Sequence, residues 1–306
     1  MIGRIVEIST DSRHLSMDRG FLVVSEKGDE VGRVPLDDIA AVVVNAHGVT
    51  HSSNLLAALA KRNVPFVLCG DNHTPIGMLW PVEGNFEQAG RMDAQIKARR
   101  PLRKRLWQQT VKAKLRNQAA VLEALGSPTV PITALIEKVR SGDPENVEAQ
   151  AARRYWSLAF GEDFRRDRTG DGVNALLNYG YAVLRSATAR AVIAAGMHPS
   201  IGLHHSNTQN AMRLVDDLME PFRPFVDLRV VGLRERSRTA VDSGTKKALA
   251  DLMYADFPTA AGLTPLMACL QKTAVSLAQA FAGEREDIEF PSAPSALELR
   301  ALVDRE

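Results

Sequence analysis

Cysteine is scarce: the 306 residues hold two, Cys69 and Cys269. Both lie in apolar contexts far apart in the chain, which excludes a disulfide-rich secreted scaffold and predicts free thiols in a reducing cytoplasm. Long apolar runs are missing as well, and none approaches the roughly 20 residues of a membrane span. The first residues, Met1-Ile-Gly-Arg-Ile-Val-Glu-Ile, alternate like a strand and lack the charged start and apolar core of a signal peptide. There is no Walker loop, no Gly-x-Gly-x-x-Gly and no Cys-x-x-Cys, so nucleotide-hydrolysing and zinc-finger readings lack their parts. Net charge is only +2, so a nucleic-acid reading must rest on where charge sits, not on its total. The expectation is a soluble cytoplasmic protein with no membrane partner.

What is present divides the chain in two. With 45% hydrophobic and 24% charged residues, the chain is globular and has room for one large or two ordinary domains. Short β-branched runs at 2–8, 21–24, 31–34, 39–44, 65–69 and 76–80 are separated by turn signals such as Lys27-Gly28-Asp29, with one helix at 53–61. Residues 83–92 follow, at the end of a Pro-, Gly- and Asn-bearing stretch without clear periodicity, and read as a linker. Beyond them the apolar spacing becomes helical. The predicted class is α+β: a small β-rich domain over 1–82, then a larger all-α catalytic domain over 93–306, with a polar tail from Glu284 that reads as irregular.

Charge is unevenly placed. Lys97, Arg99, Arg100, Arg103, Lys104, Arg105, Lys112, Lys114 and Arg116 crowd one stretch in which acidic residues are all but absent, with Trp107 inside it. Pro101 suits a first helical turn. Such a run is a solvated helix face or a contact to a phosphate backbone, salt-dependent and mostly blind to sequence. Arg99, Arg100, Arg103, Lys104, Lys112 and Arg116 are the candidate contacts.

Two further features carry chemistry. Asp143 and Pro144 read as the cap and first turn of a helix whose apolar arc is Val147, Ala151, Ala152, Tyr155, Leu158 and Ala159. Glu148 falls inside that arc, where a carboxylate loses hydration unless protonated, paired or metal-bound. A buried ion pair with an arginine and a ligand role are both open at this point. The second feature is the stretch from Pro199 to Pro224. Its breakers carry the pair His204-His205 into a helix with an apolar face of Ala211, Leu214, Val215 and Leu218. Arg213, Asp216, Asp217 and Glu220 share the other side, and the carboxylates of Asp217 and Glu220 are neighbours at three-residue spacing. On spacing alone this is a solvated helix face. Imidazole with carboxylates is equally a donor set for Mg²⁺ or Mn²⁺.

Glu148, the His of Gly-Leu-His, and Asp217 with Glu220 in Asp-Leu-Met-Glu-Pro-Phe-Arg-Pro form a constellation that resembles the CRISPR-associated Cas1 family of adaptation nucleases and integrases. Glu220-Pro-Phe-Arg-Pro, with Asn174-Ala-Leu-Leu-Asn-Tyr-Gly-Tyr upstream, resembles its type II branch. The resemblance implies one Mg²⁺ or Mn²⁺ held by Glu148, His205 and Glu220 as catalytic residues, with Asp217 in support. It implies an endonuclease and integrase that inserts short DNA fragments as spacers into a CRISPR array by metal-dependent transesterification. Implied partners are double-stranded DNA (donor fragment and repeat), a second copy of the chain, a Cas2 dimer in a heterohexamer and, in a type II setting, the effector nuclease. A branched-DNA or repair endonuclease is the alternative within catalysis, and a non-catalytic DNA-binding scaffold the alternative outside it.

Overall fold

The computed structural model describes residues 4–70, 75–79, 81, 85–260 and 262–304. The chain divides into two compact units, 1–88 and 89–306. Of the expected linker, residues 83 and 84 lie outside the described residues, and 88–92 belong to a helix, Gln88–Lys97.

The first unit holds two four-stranded sheets. One has the order β1-β5-β7-β8, from β1 (Arg4–Ile8), β5 (Ile39–Val44), β7 (Phe66–Cys69) and β8 (Pro75–Leu79), with only the β7–β8 pair antiparallel. The other runs β4-β3-β2-β6, from β2 (His14–Asp18), β3 (Phe21–Glu26), β4 (Asp29–Pro35) and β6 (Thr50–His51). Strands β2 and β6 are not among the expected runs: β2 alternates over only two apolar residues, Leu15 and Met17, and β6 is two residues long. Lys27 and Gly28 both have positive φ, the backbone that a two-residue hairpin loop needs between β3 and β4. Leu15, Leu22, Val42, Leu55, Leu59 and Phe66 close the core. Helix α1 (Ser53–Lys61) delivers two of them, its start capped by Ser52, which accepts the Leu55 N–H.

The second unit is built on two long helices. After α2 (Gln88–Lys97) comes α3 (Arg100–Ala124), with Pro101 in its first turn as expected; it packs against α4 (Val130–Ile136) and α5 (Val147–Phe160). Helix α6 (Val173–Ala194) lies against α7 (Arg213–Met219), α8 (Arg223–Glu235), α9 (Ser243–Asp251) and α10 (Leu266–Ala282). A left-handed Gly283 stops α10, as its sequence position predicts. Two expectations need correction. The unit is not wholly helical, because β9 (Asp256–Thr259) pairs with β10 (Gly262–Pro265). The tail is not irregular throughout: α11 (Ala296–Asp304) buries Leu299 and packs on α3 and α8, where Arg300 donates to Ala124 O and Arg229 to Leu302 O. Both cysteines are free thiols, and burial pushes each up to about 11. No helix among the described residues is long and apolar enough to cross a membrane.

Candidate active site

Three segments of the second unit carry the predicted residues. The first is the start of α5. The helix begins at Val147 with Asn146 as N-cap, later than expected. Asp143 still serves that end: its carboxylate accepts the N–H groups of Val147 and Glu148 at 2.8 and 3.0 Å. That fixes the backbone of Glu148, whose side chain is 22% exposed.

The second segment is the passage from α7 to α8. Pro221 and Pro224 cannot donate the N–H groups that a continuous α-helix would use, and the chain tightens into a 3-10 turn over Glu220–Phe222. Asn117 on α3 donates to Pro221 O at 2.7 Å and ties that turn to the central helix. Glu220 is thereby buried, only 4% exposed, and Asp217 one turn earlier is fully buried. The polar face that local spacing could have left in solvent points inward.

The third segment is the loop 199–212. Asp217 organises it by accepting the backbone N–H groups of Leu203, His204 and His205 at 2.6, 3.1 and 3.2 Å. The same carboxylate pairs with His205 Nδ1 at 2.6 Å. This fixes the ring and leaves Nε2 as its second ligating atom. Gly202 permits the approach: a Cβ there would stand 2.8 Å from Asp217 Oδ2 and 2.9 Å from His205 O. His204 turns elsewhere and stacks on Trp107, with ring centroids 4.4 Å apart and planes 2° from parallel.

Between the glutamates stands a residue that sequence reasoning places only in the basic run. Lys114 Nζ on α3 donates to Glu148 Oε1 and to Glu220 Oε2, each at 2.6 Å, while Arg223 holds the other Glu220 oxygen at 2.8 Å. Its signal was present: Lys114 is seven residues from both Trp107 and Val121, on the face that α3 buries. Burial works against the Lys114 ammonium, but Glu220 and Glu148 outweigh it and hold its pKa above the ordinary lysine value. Burial likewise works against the Glu220 carboxylate, yet Arg223 and Lys114 bring its pKa below the usual range. The bond to Asp217 raises the His205 pKa against burial, helped by the charges of Asp217, Glu220 and Glu148. Among the described residues, no three His, Cys, Asp or Glu side chains are gathered as a metal-binding group. The convergence is of two carboxylates on one cation, the ammonium.

A cleft of about 300 Å³ opens beside this pair, lined among others by Lys114, Glu148, Tyr181, Arg166, Arg223 and Asp227. Asp227 accepts from the Tyr181 hydroxyl, and burial pushes its carboxyl up to about 7. Asn174 and Asn178, from the stretch singled out in the sequence, both accept from Arg166 and so pin the preceding loop to α6.

The basic candidates separate by exposure. Arg99, Arg100, Lys104 and Arg116 are exposed. Lys112 is partly buried, 3.7 Å from the Glu137 carboxylate. Arg103 faces inward: it donates to the carbonyls of Gln95, Ala98 and Gly202, bracing the loop that carries His205.

The helical unit thus holds a histidine, 39% exposed, on a fully buried aspartate, and two glutamates that converge on a buried lysine. The family is explicit in comparisons with known proteins: the model for "CRISPR associated protein Cas1" matches residues 6–249. A CRISPR-associated endonuclease Cas1 of Neisseria meningitidis is 38% identical over 226 residues, covering 73% of this chain and 74% of that protein. The chain belongs to the Cas1 family and is a CRISPR-associated endonuclease by class. Its fold is also that of a casposase bound to integration product, with TM-score 0.82 at 19% identity over 98% of both chains. A chain of a Cas6-RT-Cas1–Cas2 complex gives 0.75 at 18% identity, over 93% of this chain and 35% of that one.

Proposed function

We propose that this protein is a CRISPR adaptation integrase, joining the 3′ ends of short DNA duplexes to a CRISPR repeat, with Glu148, His205 and Glu220 as the protein ligands of one Mg²⁺ or Mn²⁺. The observation that carries the reading is the meeting of Glu148 and Glu220 around one positive charge, with His205 held by Asp217 nearby. The donor set fits such an ion in its chemistry: two carboxylates already share a cation, and an imidazole keeps Nε2 for coordination. When bound, the ion supplies Lewis-acid stabilisation of charge growing on the phosphoryl oxygens.

The chain's own groups do the rest. Asp217 fixes the orientation of His205, and Arg223 neutralises the Glu220 oxygen that Lys114 does not reach. In the reaction, the donor 3′-hydroxyl loses its proton as its oxygen bonds to phosphorus. The repeat's P–O bond breaks, and the departing 3′ oxygen takes up a proton. With water in place of the hydroxyl, the same site cuts DNA. The exposed Arg99, Arg100, Lys104 and Arg116 are the phosphate contacts that keep DNA on this unit. Domains assigned to 1–82 and 93–306 divide the labour, with the β-rich part joining two copies of the chain. A Cas2 dimer joins two such pairs and spaces the DNA ends, in line with the Cas1–Cas2 complexes among the fold's neighbours. The type II effector nuclease is the further partner, and the cytoplasm, where the array lies, is the compartment.

The test is strand transfer with labelled duplex DNA, a repeat-bearing plasmid, the Cas2 partner and Mn²⁺, with and without chelator. Joined product should vanish in Glu148→Ala, His205→Ala and Glu220→Ala and with chelator. If these variants join and cut DNA like the wild type, the site assignment is wrong and a DNA-binding scaffold explains the chain better.

A further inference from the structure

The position between Glu148 and Glu220 is already held. Lys114 Nζ is 2.6 Å from an oxygen of each, and Lys114 is only 7% exposed. Two carboxylates brought this close, one of them nearly buried, repel each other unless a cation stands between them. With Arg223 on the remaining Glu220 oxygen, the two glutamates face two cations.

We infer that Lys114 is a built-in counter-cation that competes with the divalent ion for Glu148 and Glu220. It preserves the spacing of the two carboxylates in the metal-free protein and has to swing out when an ion binds. The inference rests on the metal reading given under Proposed function. A divalent ion using these oxygens meets Nζ in the same place, and like charges at that separation repel. The structure offers a destination. Lys114 lines the adjoining cleft, whose wall offers Gln118 and Asp227 as acceptors and also carries the cations Arg166, Arg168 and Arg223, which the displaced ammonium has to avoid. An unbranched four-carbon stem lets the ammonium move there without moving α3. Metal affinity is then set by a difference between two cations for one pair of carboxylates. Metal-free stability depends on the lysine, and metal-bound stability does not.

The experiment is Mn²⁺ titration of the full chain without DNA, by calorimetry and by the electron spin resonance of unbound Mn²⁺. Wild type, Lys114→Met and Lys114→Arg are compared, with the Glu148→Gln/Glu220→Gln double variant as control. Lys114→Met is expected to bind Mn²⁺ roughly ten-fold or more tightly than wild type, and Lys114→Arg close to wild type. In chelator the Met variant should unfold at lower temperature, and saturating Mn²⁺ should close most of that gap. Mn²⁺ binding that is unchanged or weaker in a folded Lys114→Met protein overturns the inference. Should the Met variant not fold, the wild type decides: with ¹⁵N-labelled lysine, one slowly exchanging ammonium signal, missing in Lys114→Arg, should be lost on saturation with Mg²⁺. Its persistence overturns the proposal. Wild type that binds no Mn²⁺ in a manner dependent on the two glutamates overturns the metal reading itself, which is a separate failure.

Discussion

His205 Nδ1 and Asp217 Oδ1 lie 2.6 Å apart, and the same carboxylate takes the backbone N–H groups of residues 203–205. One fully buried aspartate therefore sets both the path of the loop and the orientation of the imidazole.

Asp217→Asn should separate those effects. The amide keeps one acceptor oxygen, so the loop loses about 1–3 kcal/mol and stays folded. The His205 pKa, raised first by the Asp217 bond, should fall back toward an ordinary histidine. In the wild type, this pairing stabilises the fold fully below about pH 6.5 and is lost as pH rises through the raised folded value. Imidazole NMR titration of both proteins checks the shift. Nuclease activity should drop about 10- to 100-fold, the usual effect of removing an outer partner of a ligating histidine.

Gly202→Ala places a methyl group against Asp217 Oδ2 and His205 O. The expected result is about 1–3 kcal/mol of destabilisation from overpacking, with a larger fractional loss of activity than of stability. Gly90→Ala in α2, where an added Cβ meets nothing within 4 Å, should be neutral or slightly stabilising. Urea unfolding and DNA cleavage of the two variants make the comparison.

Asp227 gives a pH dependence of definite sign. Its carboxyl titrates near 4 when unfolded and at about 7 when folded, where burial resists the charge and Tyr181, Arg223 and Lys114 favour it. Below pH 4 both states hold the proton. Between about 4 and 7 only the folded state does, so this group's contribution falls as pH rises, then levels off above 7. Asp227→Asn removes that decline. Unfolding free energy from pH 5 to pH 8 should fall by about 3 kcal/mol less in the variant than in the wild type. Equal slopes would refute the assignment.

Arg103 and the pair Arg99 and Arg100 sit in one basic run but have different surroundings. Arg103→Ala removes three bonds to carbonyl oxygens and should lower the melting temperature and the activity with little change in the salt dependence of DNA binding. Arg99→Ala with Arg100→Ala should leave stability unchanged, weaken DNA binding across sequences, and reduce the salt slope by about one for each phosphate no longer neutralised. Binding isotherms at several salt concentrations distinguish them.

Leu299 tests the terminal helix. It is fully buried on α11, which packs on α3 and α8. Leu299→Ala should cost about 2–5 kcal/mol, measurable by chemical unfolding. An irregular, solvated tail would tolerate it without loss.

Much of the fold is legible in the sequence because it is encoded locally. Short β-branched runs between turn signals mark most strands, apolar spacing of 3.6 residues marks the helices, and Gly283 and Pro101 mark helix ends at the right places. Strands β2 and β6 escape such reasoning because they are short: β2 alternates over only Leu15 and Met17, without a β-branched run, and β6 has two residues. Tail helix α11 escapes it because prolines and charges precede it, and its buried face needs α3 and α8 to exist.

The sequence alone determined the α+β order and the basic stretch, for which residue type and short-range spacing suffice. The candidates Glu148, His205, Asp217 and Glu220 come from the resemblance to the Cas1 family, because spacing leaves their roles open. Only the tertiary structure decided which side of a helix meets another element. It turned Asp217 and Glu220 inward, withdrew Arg103 from the surface and set Lys114 between two carboxylates 34 and 106 residues away in the chain. Pairings at that range leave no trace in local periodicity. They follow from the burial of α3 against α5 and the 3-10 turn, where a buried charge must find an opposite one.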